Sequence, residues 1–512
     1  MFSSFYHLFQ VLPQTASTSL FIGLIFLIIS LWLSKRSYTK AICVFLLSCL
    51  FTGFAFAEIT PYLHLWDEQF HALVAKNLSE TPLTPRLLPE VPVNYNFTNW
   101  NENHIWLHKP PLTLWQIALS FKLFGISVFT TRLASILLLV GTVFLVYKIG
   151  SLVKNQKVGF YAAVIFGSLN YVYTLVSGLH TAEHIDIAFQ FYITLSCFFW
   201  LKYYTTERWY WILLMGVFSG AAILTKWLVG LLVYAGAGLS ILSYRHLRLS
   251  KNTWLHLSLA FLATLMVSIP WQVYTATAFP LEFWHETTFS SRHFHEVIED
   301  HGGNWLFYWD NLKTIYGVGG FGQVVIVLSL LFSFMSIKKQ YVLFFIVTIL
   351  TPYLFFSLAS TKMDSFLVIV QPLVCVLISG FVIKLSESMT CLNYSKWKPY
   401  IGMVAVICIA LMLLRPNQIK RDFLLDNTTN RAIRDSTVAT HKYIQTFEFP
   451  DEKKIVLYNI NYYPAIHVNW MFHHDVIAYQ RDFTKEEIKF LLANNYRLYT
   501  FVENSLKPIQ NP

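Results

Sequence analysis

Charge is scarce in this chain of 512 residues: Asp, Glu, Lys and Arg together make up 13%, against 55% hydrophobic residues. A soluble domain carries about a quarter charged residues to cover its surface, so a water-soluble fold is excluded for most of the length. Cysteine is also sparse. The six cysteines (Cys43, Cys49, Cys197, Cys375, Cys391 and Cys408) lie in or beside apolar runs and form no C-x-x-C pair. That pattern indicates neither a disulfide framework nor a zinc knuckle. No Lys or Arg precedes Lys35. The first apolar run therefore lacks the basic start of a cleaved signal and reads as a retained span. No internal repeat or low-complexity segment is visible.

What the chain has in abundance is apolar sequence in stretches of about 20 residues, the length that crosses a hydrocarbon core of roughly 30 Å. About twelve spans are predicted, near 18–34, 41–57, 130–148, 158–178, 186–204, 209–225, 228–243, 254–275, 321–337, 341–359, 365–384 and 399–414. The apolar stretch 112–124 is short and either lies along the membrane surface or crosses it, in which case everything upstream is inverted. Basic residues sort the loops. Segments 35–40, 148–157, 202–208, 244–251, 338–339 and 384–398 are rich in Lys or Arg and nearly free of acid, as cytoplasmic loops are. They account for the net charge of +10 without a nucleic-acid partner. The opposite, outer face then carries the N-terminus, 58–111, 178–186, the turn at Lys226, 276–320, 360–364 and everything after about 415. In the tail a polar helix near 430–446 precedes a strand at 454–460; a short helix, a strand at 476–480, a helix at 484–495 and a strand at 496–502 follow, an alternation that suggests a compact α/β unit. The fold class read from this pattern is an all-α polytopic membrane bundle (1–415, with outer loops 58–111 and 276–320) followed by a small C-terminal α/β extramembrane domain (416–512) on the outer face.

Polar residues on the outer face need an account. Asp67 and Glu68 open the first outer loop's helix, where an acid either caps the helix or faces a cavity as a general base or cation ligand. Lys109 stands before Pro110-Pro111, as an interface anchor or as a phosphate contact. His180, Glu183, His184 and Asp186 crowd one turn; metal ligation and ordinary solvent-facing or capping roles both fit. Lys226, Arg292 and Lys362 are cations from three further outer segments. Several cations with carboxylates beneath an outer loop make a candidate site for an anionic lipid head group.

This constellation resembles the GT-C type membrane glycosyltransferases, in the branch that holds the aminoarabinose transferases and protein O-mannosyltransferases. Asp67-Glu68 with the following QFHALVAKNL resembles that family's first-loop motif. His108 to Arg132 (HKPPLTLWQIALSFKLFGISVFTTR) is similar to its KPP…W…FG…R pattern. Weaker matches are Asp186 with Phe189, Leu224-Thr225-Lys226, Phe289 to Phe294, and Lys362 to Pro372. The resemblance spans about 67–372 and departs from the family at three places. Phe366 stands where a Tyr is expected, His108 precedes the lysine of KPP, and the early span 18–34 is additional.

The resemblance implies an inverting transferase with Asp67, beside Glu68, as the catalytic base. It implies Lys109, Arg292 and Lys362 as phosphate contacts, with Asp186 and Lys226 completing the substrate-binding set. The implied partners are a polyprenyl-phosphate sugar donor, the membrane lipid around it, and an acceptor glycan, lipid or protein. No cofactor is certain; a divalent metal ion is the one candidate, and no metal ligand is identified. The expected location is the cytoplasmic (inner) membrane with the site on the periplasmic face. A transporter would place its charges at mid-membrane on broken helices; here they gather in outer loops. A scaffold without catalysis would need neither the Asp67-Glu68 nor the KPP motif.

Overall fold

The computed structural model describes residues 2–180, 183–317, 319–388, 398–450, 454–461, 465–502 and 505–509. Cys391 and most of the basic loop 384–398 lie outside the described residues. Among these residues, nine helical stretches are long and apolar enough to cross a membrane, or ten if the bent pair Gln156–Phe166 and Asn170–Val176 counts as one. The larger count of about twelve expected from the sequence differs at two places.

The first is Trp209–Ser243, where the expected spans 209–225 and 228–243 follow one another without a gap, as helix Trp209–Lys226, a 3-10 turn and helix Leu232–Ser243, in one stretch of 35 residues. Laid straight it would measure about 52 Å, far more than a bilayer needs. It does not lie straight. Trp227 sits at φ 57°, and beyond it the chain returns along itself. Ser219 Oγ donates to Gly230 O at 2.6 Å, and Tyr234 meets Thr264, which in turn donates to Gly216 O. The run is therefore a helical hairpin with Lys226 at its tip. The second place is 321–337, where the helix is only Gly320–Leu331, followed by a single turn, Ser333–Ser336. That length, about 18 Å, does not span.

The stretch 112–124 forms the helix Pro111–Phe124. Pro111 starts it, because a helix's first N–H groups need no intrahelical partner. Leu119, Leu123 and Phe124 stay exposed while Leu114, Ile117 and Phe121 are buried, the division expected of a helix lying in an interface. On one end of the bundle the basic loops meet: Lys338 N donates to Val153 O, Lys154 Nζ to Met335 O, and Tyr244 Oη to Gln340 O. On the other end lie the long loops and the C-terminal unit.

That unit contains a four-stranded sheet: β1 (Ile455–Tyr458), β2 (Ile477–Ala478), β3 (Arg497–Val502) and β4 (Ser505–Pro508), in the order β2-β1-β3-β4. β1 pairs parallel with β2 and β3, and β4 is antiparallel to β3. Helices Ile466–His473 and Lys485–Ala493 make the crossovers. The unit docks on the first outer loop. Lys76 Nζ donates to the carbonyls of Met471, Phe472 and His474, the last turn of helix Ile466–His473. A cation there satisfies helix-end carbonyls that have no other partner. Lys76→Met should leave these acceptors unpaired and lower stability by about 1–3 kcal/mol. Thermal unfolding in detergent, with limited proteolysis of the C-terminal unit, checks this; an unchanged melting temperature and digestion pattern would disprove it.

Candidate functional site

The helix Asp67–Glu80 begins at the outer mouth of the bundle, with Asp67 and Glu68 in its first turn where the helix dipole favours negative charge. The two acids point in different directions. Glu68 is fully buried and holds Arg132, also fully buried, through both carboxylate oxygens, at 2.7 and 3.0 Å. The His64 backbone N–H donates to the same carboxylate at 2.6 Å. Arg132 spends its remaining donors on Ala57 O, Thr60 O and Tyr62 O. Gly178, at φ 77°, closes the pocket. A Cβ there would come within 2.0 Å of the Glu68 carboxyl carbon, so only glycine leaves the carboxylate its room. Burial alone raises a carboxyl pKa, but the Arg132 charge and the hydrogen bonds from His184 and Arg132 outweigh it and hold Glu68 below the ordinary carboxylate range. Glu68 is thus placed in an ion pair behind the site, not beside Asp67 in it.

Asp67 is half-buried and lines a cavity of about 750 Å³. Its polar side includes Asp67, Lys109, Lys226, His293, Glu299 and Asp300, and its apolar side Phe289, Phe294, Phe355, Phe356 and Phe366. Trp66 and Trp100 stand at Asp67's end of it. Trp100 stacks on His108 with ring centroids 5.0 Å apart, and His108 Nδ1 lies 3.2 Å from Glu286. These contacts brace the segment that carries Lys109. Lys226, at the hairpin tip, pairs with the fully buried Asp186 and lies over the Phe366 ring at 4.6 Å. Phe366, which stands where the resemblance implies a Tyr, thus packs under a cation.

Lys362 is buried, with Nζ donating to Ala359 O. It lines an adjoining cavity of about 230 Å³ that shares Asp300, His301 and Met363 with the main one. The 360–362 segment is fastened to the second outer loop: Ser360 N donates to Phe294 O, Thr361 N to His293 O and Lys362 N to His301 O. Arg292 is turned away. Its guanidinium pairs with Glu296 at 2.7 Å, both half-exposed, and it does not line the cavity. Its neighbour His293 does line it, a residue that the sequence leaves indistinguishable from the other polar residues of 282–301.

The His180–Asp186 turn is dispersed. His180 stacks on Tyr171, Glu183 Oε1 lies 2.6 Å from His71 Nδ1, His184 meets Ser135 and Asp186 holds Lys226. Among the described residues no three His, Cys, Asp or Glu side chains converge as metal ligands. Thr181 and Ala182 lie outside the described residues.

Two predictions follow from the buried charges. Glu68→Gln strips the buried Arg132 of its counter-charge and should cost about 3–5 kcal/mol of stability; a variant that unfolds at the wild-type temperature would rule out the anchoring role. The outer layer also buries neutral imidazoles. Burial pushes His64 down to about 3, His71 to about 4 and His441 to about 4, more than the nearby carboxylates raise them. Unfolded histidine titrates near 6.5, so between that value and about 4 the unfolded chain binds more protons. Stability should be full above pH 6.5 and fall steadily as pH drops toward 4, measured as melting temperature against pH. A flat profile would mean these rings are not buried in the neutral form.

Comparisons with known proteins agree with this architecture. Residues 108–271 match the family model described as dolichyl-phosphate-mannose-protein mannosyltransferase. An uncharacterized protein of Aquifex aeolicus (strain VF5) is 30% identical over 179 residues, which is 34% of this chain and 32% of that protein; the match thus spans about a third of the curated relative's length. Among solved structures, ArnT from Cupriavidus metallidurans bound to undecaprenyl phosphate is similar, with a TM-score of 0.57 at 16% identity over 89% of this chain and 88% of that one. The apo form of ArnT superposes with a TM-score of 0.59 at 14% identity, over 91% of this chain and 93% of that one. The Archaeoglobus fulgidus oligosaccharyltransferase AglB, in complex with an inhibitory peptide and a dolichol-phosphate, gives 0.51 at 9% identity over 92% and 70%.

Proposed function

We infer that this multi-pass membrane protein, whose fold is that of the GT-C type membrane glycosyltransferases, moves a sugar from a polyprenyl-phosphate carrier to an acceptor hydroxyl, with inversion at the anomeric carbon. In this reading the bundle (1–415) does the chemistry at the outer face of the cytoplasmic membrane and the C-terminal unit (416–512) supports the first loop from the same side. The observation that carries the reading is the composition of the main cavity, where Asp67 and two lysines, with Glu299 and Asp300 also on the lining, face a wall of phenylalanines.

Each side has a task in the transfer. The phenylalanine wall accepts the first isoprene units of the carrier. Lys109 and Lys226 meet the phosphate, whose charge grows as the bond to the anomeric carbon breaks; preorganised cations at such a point are worth most where water is excluded. Asp67 accepts the proton of the acceptor hydroxyl as that oxygen attacks from the face opposite the phosphate. Lys226 is held by Asp186, so Lys109 is the cation with the greater freedom to follow the phosphate. Support comes from the similar folds bound to undecaprenyl phosphate and dolichol-phosphate. Arg292 has no part in this scheme, since it is engaged by Glu296. A protein hydroxyl as acceptor is the second reading, favoured by the mannosyltransferase family match over 108–271.

The test is release of polyprenyl phosphate by purified protein given a polyprenyl-phosphate sugar and a panel of acceptors. Asp67→Asn should lose about 10²–10⁴-fold in turnover and Lys109→Ala about 10²–10³-fold, both with the melting temperature retained. Arg292→Ala should stay within about fivefold of wild type. A fully active Asp67→Asn enzyme would remove Asp67 as the base, and a crippled Arg292→Ala enzyme would restore Arg292 to the site.

A further inference from the structure

The last apolar helix ends abruptly. Helix Lys398–Leu414 stops at Arg415, which adopts φ 46°, and the short helix Pro416–Asp422 follows. A left-handed backbone is costly for a residue with a Cβ, and such positions persist only where the surroundings fix them. Beside it Gly317 sits at φ 67°, and a Cβ there would lie 2.7 Å from Arg415 Cδ. The stem of Arg415 therefore runs across a glycine that leaves it room. Both backbone features serve to hold this one arginine.

Its guanidinium borders a cavity of about 340 Å³, together with Arg421, Gln418 and Ser4, over the apolar side chains of Leu411 and Met412. Among the described residues no acid lines this cavity. Arg421 donates to Gln418 Oε1 at 2.6 Å. Asp422 accepts from Gln418 Nε2 and attracts both arginines electrostatically, without a direct hydrogen bond to either guanidinium among the described residues. Two guanidinium groups side by side repel each other, and the single Asp422 carboxylate that attracts both offsets only part of their charge, leaving a net positive charge that an anion would balance. The cavity lies where the last span leaves its apolar run, against the N-terminal helix Phe2–Val11 that packs on Pro416–Asp422. Met412 is 59% exposed on the bundle's flank, so the apolar floor continues outward to where lipid chains lie. It shares no lining residue with the main cavity.

We propose that Arg415 and Arg421 form a binding site for a phosphate group carried by an anionic lipid of the outer leaflet, with the acyl chain along Leu411 and Met412. Guanidinium groups bind phosphate oxygens through paired, charge-assisted hydrogen bonds, and an interfacial position brings the lipid to them. Such a lipid would join the N-terminal helix, the last span and the Gly317 turn. The proposal is independent of the transfer reaction.

The test uses the full-length protein in a neutral detergent, with short-chain phosphatidylglycerol, phosphatidylcholine and inorganic phosphate as probes and melting temperature as readout. Phosphatidylglycerol should stabilise the wild type more than phosphatidylcholine does, and added salt should weaken the effect. Arg415→Gln with Arg421→Gln should need roughly tenfold more phosphatidylglycerol for half the shift. Arg421→Gln alone, at an exposed side chain, should give a smaller loss and serves as the arm in which folding is not at issue. Equal stabilisation by both lipids, or an Arg421→Gln response identical to wild type, would overturn the proposal. An equal shift from inorganic phosphate would overturn the assignment to a lipid.

Discussion

The outer half of this molecule depends on one buried ion pair. Glu68 and Arg132 are 64 residues apart and both fully buried, and a buried charge is tolerated only where its partner and its hydrogen bonds are complete. Arg132 meets that condition by using every nitrogen. It grips Glu68 on one side and the carbonyls of Ala57, Thr60 and Tyr62 on the other. The carbonyls belong to the end of one span, Arg132 to the start of another, and Glu68 to the first turn of the loop helix. Three elements are thereby fixed at one point, and Asp67 is the residue immediately before it. The position of the candidate base is set by the acid that does not touch the cavity.

The same logic of counter-charge separates the cations. Arg132 is satisfied by Glu68, Arg292 by Glu296, Lys226 by Asp186, and Lys76 by helix-end carbonyls. Lys109 is different. Among the described residues it forms no ion pair with an acid; Pro110 and Pro111 set its backbone and the stack of Trp100 on His108 braces the residue before it. A lysine positioned in this way keeps its charge available to an incoming anion. The phenylalanine wall raises the value of that charge by keeping water out of the space opposite.

The apolar runs were legible because a span has to be apolar along its length, and the C-terminal strands because their alternation is local. The helix near 430–446 is Thr428–Thr446, and each predicted strand has its counterpart; β4 alone was not anticipated, because Ser505–Pro508 pairs only through β3. The hairpin at Lys226 was legible from a cation between two apolar halves. The short helix at Gly320–Leu331 was not, since composition does not report where a helix stops. Within the site, Asp67, Lys109 and Lys226 share one cavity and Asp186 stands behind Lys226. Glu68 and Arg292 were indistinguishable from them in sequence, because what decides their roles is a partner's reach: Arg132 across the fold for one, Glu296 a turn away for the other. One signal was present for the first of these. Arg132 is a lone charge at the start of an apolar span, and such a charge demands a partner.

The C-terminal unit bears on the site through the far end of the first loop. His467 Nε2 lies 2.9 Å from Asn101 O, and Glu102 accepts from the backbone of Gln480 and Arg481. Asn101 follows Trp100, the ring that stacks on His108. The loop between Glu80 and Pro110 has almost no regular structure of its own, and a segment of that kind is held only by what it touches. The sheet therefore supplies the rigidity that the loop lacks, and Lys76 fixes the sheet to the helix that begins with Asp67. The wall carrying Lys109 and the helix carrying Asp67 are tied to the same body, so a carboxylate and a cation from opposite ends of one long loop keep a constant separation across the cavity.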